Sequence, residues 1–214
     1  MTTQLLVSLC LFAFVTSATP GPNNAMLFSS GVNYGFRRTL PHLMGVTLGF
    51  TFMQLALGLG VGIVFETVPG LYSVLRVLGL AYMLYLAWAI GTAVPPLANN
   101  ETSAAAKDTA KGTPMTFLQA TAFQWVNPKA LMMCITAAST YAPPDQPILG
   151  ALIVTAAFLV VGMPCCGAWA ALGSLMRGFM QDRRRLRVFN VAMAFALVAS
   201  MAPMAGDLLS GNLF

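Results

Sequence analysis

Thr19-Pro20-Gly21-Pro22-Asn23-Asn24-Ala25-Met26-Leu27 interrupts one apolar stretch of the chain, and Trp125-Val126-Asn127-Pro128-Lys129-Ala130-Leu131-Met132 interrupts another. Proline inside a helix removes a backbone donor and clashes with the carbonyl one turn earlier, so the helix kinks or breaks there. Lipid cannot satisfy the freed backbone groups, which places each break inside protein or beside a watery cavity. Two prolines flanking a glycine, as in Pro20-Gly21-Pro22, predict the firmer break. The helix that restarts at Pro22 presents unpaired amides at its N-terminus, where the dipole favours an anion. Asn23 and Asn24 add side-chain donors and acceptors beside it, and Asn127 with the Lys129 ammonium does the same around Pro128. Superposing Pro22 on Pro128 offsets the sequence by about half its length and puts the breaks at matching places in the two halves.

The surrounding composition is that of a membrane protein. Of 214 residues, 57% are apolar and 8% charged, with a mean hydropathy of +0.75. A soluble domain carries about 25% charged residues. A span needs roughly 20 apolar residues to cross a hydrocarbon core about 30 Å thick, and six stretches qualify, near residues 5–30, 40–65, 69–93, 114–141, 147–175 and 188–209. The predicted fold is all-α and polytopic. Residues 95–113, rich in Ala, Asn, Thr and Lys without apolar period, read as a linker between a first three-helix repeat (1–94) and a second (114–214). Three spans per half force the second half to enter the bilayer from the other side, so the repeats are inverted, an architecture common among secondary transporters.

Orientation follows from the basic residues, which cytoplasmic loops retain. Arg37 and Arg38, Lys107 and Lys111, and Arg177, Arg183, Arg184, Arg185 and Arg187 are nine of the eleven Lys and Arg, all in loops on one side. The opposite loops and both chain ends carry none, so the termini are predicted outside and the basic loops in the cytoplasm. This distribution also argues against nucleic-acid binding, for which a pI of about 9.3 would otherwise speak. The segment from Gln4 to Ala18 has the apolar core and small residues of a signal peptide, but no basic leader, and the apolar character resumes past Asn24; it reads as a retained span.

The other candidates are weaker. Arg76, in the third span, either functions or snorkels to the headgroups. Glu66 and Asp207 lie near outer span ends, where they could gate, carry a proton or pair with Arg76, or simply be solvated. Tyr82, Tyr85 and Trp88 recur at helical spacing as core or interfacial aromatics, with a substrate cage the alternative. Pro164 and Pro203 read as packing kinks. Cys10, Cys134, Cys165 and Cys166 read as small packing residues, and His42 as a structural or interfacial histidine rather than a ligand; no metal site and no cofactor is expected. Gly31 and Gly35, Gly45 and Gly49, and Gly58 and Gly62 have small-xxx-small spacing, which suits a tight bundle or a homodimer.

Three of these motifs together resemble the lysine-exporter (LysE/RhtB) translocator family: Pro20-Gly21-Pro22-Asn23 followed by Gly31, Gly35, Arg37 and Gly45-xxx-Gly49; the third-span Leu75-Arg76-Val77-Leu78-Gly79-Leu80-Ala81-Tyr82-Met83-Leu84-Tyr85-Leu86; and Asn127-Pro128-Lys129. The resemblance covers the whole chain. It implies a multi-pass protein of the inner, cytoplasmic membrane that exports amino acids as a secondary transporter driven by the proton gradient, a proton antiporter. It also implies that Pro20, Pro22, Asn23, Asn127, Pro128 and Lys129 line the central site; the reading of the helix breaks adds Gly21 and Asn24. Arg76, Glu66, Asp207 and Tyr82 are candidates for gating or coupling, with Lys129 a further candidate proton carrier.

No Asp or Glu falls at mid-span, so a cationic substrate would leave its charge unpaired at a cost of several kcal/mol. The chemistry therefore favours neutral amino acids such as threonine, homoserine or branched aliphatics. An alternative is a cation or small-drug efflux transporter, for which Met132 and Met133 near the second break could supply soft ligands. A non-transporting scaffold would not need matched breaks. An intramembrane hydrolase would need a nucleophile with a base, or metal ligands, and neither set is present.

Overall fold

A computed structural model describes residues 1–61, 71–92, 113–143, 145–180, 182–199, 201, 202 and 206. Among these the regular structure is helical: α1 (Thr3–Ala18), α2 (Pro22–Tyr34), α3 (Phe36–Ala56), α4 (Leu71–Thr92), α5 (Phe117–Gln124), α6 (Pro128–Tyr141), α7 (Pro147–Met176) and α8 (Arg183–Ala199). Helix α3 continues through a π-helical turn, Leu57–Val61, in which Gly60 takes φ 107°. Two helical stretches, Phe36–Gly60 and Pro147–Met180, are each long and apolar enough to cross a membrane. α1 and α2 together make a third such stretch, bent by 53° at the break.

Both proline breaks are present. α1 ends at Ala18 and α2 starts at Pro22, while α5 ends at Gln124 and α6 starts at Pro128. Pro164, by contrast, is carried inside α7. Two helices begin earlier than hydropathy suggests. Arg37 and Arg38, expected in a loop, lie in the first turn of α3, because Gly35 alone joins α2 to α3 at φ 80°. Arg183 to Arg187 lie in the first turns of α8 rather than ahead of it. Asp182 explains this: its carboxylate accepts the Arg184 amide at 2.7 Å and its carbonyl accepts the Leu186 amide at 3.0 Å, starting the helix before the apolar run.

Helix α7 is the hub, packed against α1, α2 and α3, with α4 paired to α8. Glycines make the closest approaches. Gly31 lies against the Ala170 carbonyl, Gly173 against that of Phe28, Gly45 against Phe117 and Gly49 against Thr121. Gly31, Gly45, Gly49 and Gly58 are thus used within the chain. Large side chains such as Val160, Leu175 and Phe195 stay more than two-thirds exposed, giving the bundle an apolar exterior suited to acyl chains.

Candidate functional site

The two breaks meet. α6 runs back along α1, with the Tyr141 ring tilted against that of Phe12 (ring centroids 5.7 Å apart) and Lys129 beside Thr19. α1 and α2 run on in one general direction, so α2 and α6 both start at this junction and diverge from it. Two positive helix ends therefore converge on one place, each opened by a proline at its first turn.

At the first break no backbone turn closes the gap, and side chains of the break, of α2 and of α6 and α7 satisfy the carbonyls that α1 leaves free. Thr19 Oγ1 donates to the Thr16 carbonyl (3.1 Å), Asn24 Nδ2 to those of Ser17 (2.7 Å) and Thr19 (2.8 Å), and Trp169 Nε1 to that of Ala18 (3.3 Å). Lys129 Nζ donates to the Thr19 carbonyl (2.9 Å), the Thr19 hydroxyl (3.0 Å) and the Pro20 carbonyl (3.3 Å). An ammonium has three protons, so all its donors are engaged. The second break closes itself: the amides of Trp125, Val126 and Asn127 donate to the carbonyls three residues earlier.

Residues offset by 106 positions brace the breaks against each other. Just as Lys129, second in α6, reaches the end of α1, its counterpart Asn23, second in α2, reaches the end of α5. Asn23 Nδ2 donates to Gln124 Oε1 (2.8 Å) and Gln124 Nε2 returns a bond to Asn23 Oδ1 (3.2 Å). The N-caps, Gly21 and Asn127, differ. Asn127 Oδ1 accepts the amides of Lys129 (3.2 Å) and Ala130 (3.5 Å), closing the start of α6. Gly21 has no side chain to do so for α2. The uncapped N-terminus is therefore that of α2, where the Asn23 and Asn24 amides have no partner within the helix.

A cavity of about 60 Å³ sits at this junction. At roughly 10–15 Å³ per water it has room for several waters. It is lined by Gly21, Pro22, Asn23, Asn24, Asn127 and Lys129 of the sequence-predicted set, together with Thr16, Ser17, Thr47, Phe50, Met133, Phe158 and Cys166. Its walls are largely apolar, with polar atoms gathered at the breaks. Pro20 joins through its carbonyl, and Pro128 supplies the first turn of α6. Tyr82 is elsewhere, packed on Phe123 (5.8 Å between centroids) and Tyr85 (6.0 Å). Glu66, Asp207 and the side chain of Arg76 lie outside the described residues. Gln124, Thr16 and Thr47 were missed by the sequence reading, although a glutamine inside an apolar span was the available signal.

Among the described residues no group of three or more His, Cys, Asp or Glu could hold a metal ion. Residues 14–205 match the LysE type translocator family. The cysteine/O-acetylserine efflux protein of Salmonella choleraesuis (strain SC-B67) is 34% identical over 206 residues, covering 92% of this chain and 96% of the relative. That of Escherichia coli (strain K12) is 32% identical over 206 residues with the same coverage. No solved structure matches the chain. With a family match running through both helix breaks and nearly the full length, this chain belongs to the LysE type translocator family, as a membrane transporter of amino acids and not an enzyme.

Proposed function

We propose that the chain exports small neutral amino acids from the cytoplasm, in exchange for protons, by alternating access at the paired breaks. The convergence of two half-helix N-termini on one cavity, one of them left uncapped by Gly21, is the observation that carries this reading. The substrate carboxylate takes the open α2 amides of Asn23 and Asn24, with the Lys129 ammonium beside it. Lys129 then exchanges one of its bonds to Thr19 or Pro20 for the carboxylate, coupling occupancy to the joint between α1 and α2. Asn127 keeps α6 capped, and Asn23 with Gln124 ties the halves together. The halves are inverted three-helix repeats forming six spans, with termini outside and basic helix ends in the cytoplasm. Arg76, Glu66, Asp207 and Tyr82 belong in this reading to gating or coupling.

Among the described residues that line the cavity none is a carboxylate that could pair a basic side chain, which supports a neutral substrate. Its modest size and the naming of the relatives as cysteine/O-acetylserine efflux proteins favour substrates of that class, alongside threonine and homoserine. Cells overproducing the protein and preloaded with a labelled panel of these amino acids test it. At least one neutral amino acid should leave faster than from control cells, and an uncoupler should remove the difference. Export of none of the panel would overturn the proposal.

A further inference from the structure

A second cavity, of about 90 Å³, lies along the opposite end of α2, lined by Met26, Ser29, Asn33 and Tyr34 of α2, His42 of α3 and Pro114 ahead of α5. From Asn23 in the central cavity to Asn33 in this one is ten residues of one helix, about 15 Å at 1.5 Å per residue. Between the polar ends, Met26 and Leu27 are buried in apolar clusters with Phe123 and Leu43.

Most polar groups around the second cavity satisfy one another. Asn33 and Asn190 exchange side-chain bonds at 3.0 and 3.2 Å, Asn33 also donates to the Ser29 carbonyl at 2.8 Å, and the Ser30 and Thr39 hydroxyls are 2.9 Å apart. His42 is different. It is 2% exposed and lines the cavity, yet neither ring nitrogen has a partner. Buried polar groups are nearly always hydrogen-bonded, so an imidazole with both nitrogens open beside a cavity is placed to meet a ligand.

The ring's chemistry selects that ligand. Neutral imidazole has one acceptor nitrogen and one N–H donor, which match the ammonium and the carboxylate of an amino acid. Among the described lining residues none is acidic. Among the described lining residues Tyr34 on α2 is the other titratable group; α4 contributes Leu86, Ala89 and Ile90, the segment before α5 contributes Thr113, Pro114 and Met115, and Arg37 and Arg38 lie exposed one turn earlier on α3. A proton on the acceptor nitrogen would remove the site for the ammonium and set cation against cation.

We propose that this cavity is a second amino-acid site, on the cytoplasmic side, where neutral His42 receives the substrate's ammonium before the substrate passes Met26 and Phe123 to the central cavity. The inference rests on the export reading above. Substrate and proton compete for one nitrogen: a substrate arriving from the cytoplasm displaces the proton into it, which is the exchange that antiport requires. Binding at this site therefore strengthens as pH rises through the titration of His42 and weakens as pH falls.

His42 is the one histidine in the sequence, so full-length protein labelled with ¹⁵N-histidine and purified through a histidine-free tag gives a single imidazole spectrum. Adding L-cysteine, kept reduced, or O-acetyl-L-serine should shift both ring nitrogens saturably and move the ring's titration midpoint to lower pH. The shift should persist in Lys129→Ala, whose lesion lies in the central cavity. In the Lys129→Ala background, His42→Leu, which offers neither donor nor acceptor, should bind the same amino acids at least about tenfold more weakly, a loss of about 1.4 kcal/mol, and without pH dependence. Ring signals unmoved by saturating amino acid in a protein that exports it would overturn the second site and leave the export reading standing. A protein that exports no amino acid would overturn both.

Discussion

At the scale of single residues, the proposed central site rests on one ammonium and one missing side chain. A Cβ at Gly21 would lie 2.8 Å from Lys129 Cδ and 3.0 Å from Nζ. Because it meets the far end of a flexible side chain, Gly21→Ala should leave the fold intact but push the ammonium off Thr19, lowering export about tenfold or more, as expected when a positioned charge moves by about 1 Å. Export assays at matched protein levels in the membrane check this. Asn127→Ala removes the N-cap of α6 and should cost about 1 kcal/mol, read as a midpoint of thermal unfolding roughly 2–4 °C lower. These roles were partly legible beforehand. Pro22 and Pro128 read as breaks from the chemistry of proline alone, and Asn127 as a polar group beside the second break, though not as its N-cap. That Lys129 bonds Thr19 and Pro20, and Asn23 bonds Gln124, was not legible, because those partners lie more than 100 residues apart and only the packing of α6 against α1 brings them together.

Among elements, the glycines decide how tightly the helices sit. Gly31 and Gly173 place the backbones of α2 and α7 in contact, with no room for a side chain between them. Gly173→Leu should therefore destabilise by about 1–3 kcal/mol or more, the cost of overpacking, and lower the unfolding midpoint well beyond the Asn127→Ala change. Gly167, which has open space around its Cβ position, should accept alanine with an unchanged midpoint. The spacing of the small residues announced close packing, but spacing cannot say which backbone fills the gap. In the structure, α7 and α5 fill it for Gly31 and Gly45. Sequence placed the helices well and their ends less well. Hydropathy marks where the apolar run starts, whereas α3 and α8 start directly after Gly35 and Asp182, where a φ of 80° and a side-chain cap set the boundary.

Across the whole molecule, the proposed inverted repeats would place the basic helix ends on one side of the membrane. Reporter fusions or thiol labelling at introduced cysteines should find Arg37–Arg38 and Arg183–Arg187 at the cytoplasmic face and residue 2 outside; a cytoplasmic N-terminus would contradict the orientation. The paired helix breaks, and the charge near one of them, were visible in the sequence as two prolines offset by 106 positions. The division of labour between them was not, since it depends on one break closing by its own backbone turns and the other through side chains of α2, α6 and α7. The claim on which the account rests is that this junction, with Lys129 at its centre, moves the amino acid. Purified protein in liposomes with an imposed pH gradient, scored for movement of labelled L-cysteine, tests it most directly. Wild type should move the substrate in a gradient-dependent way, and Lys129→Ala, incorporated to the same level, should move none above protein-free liposomes. Equal transport by Lys129→Ala would contradict the account.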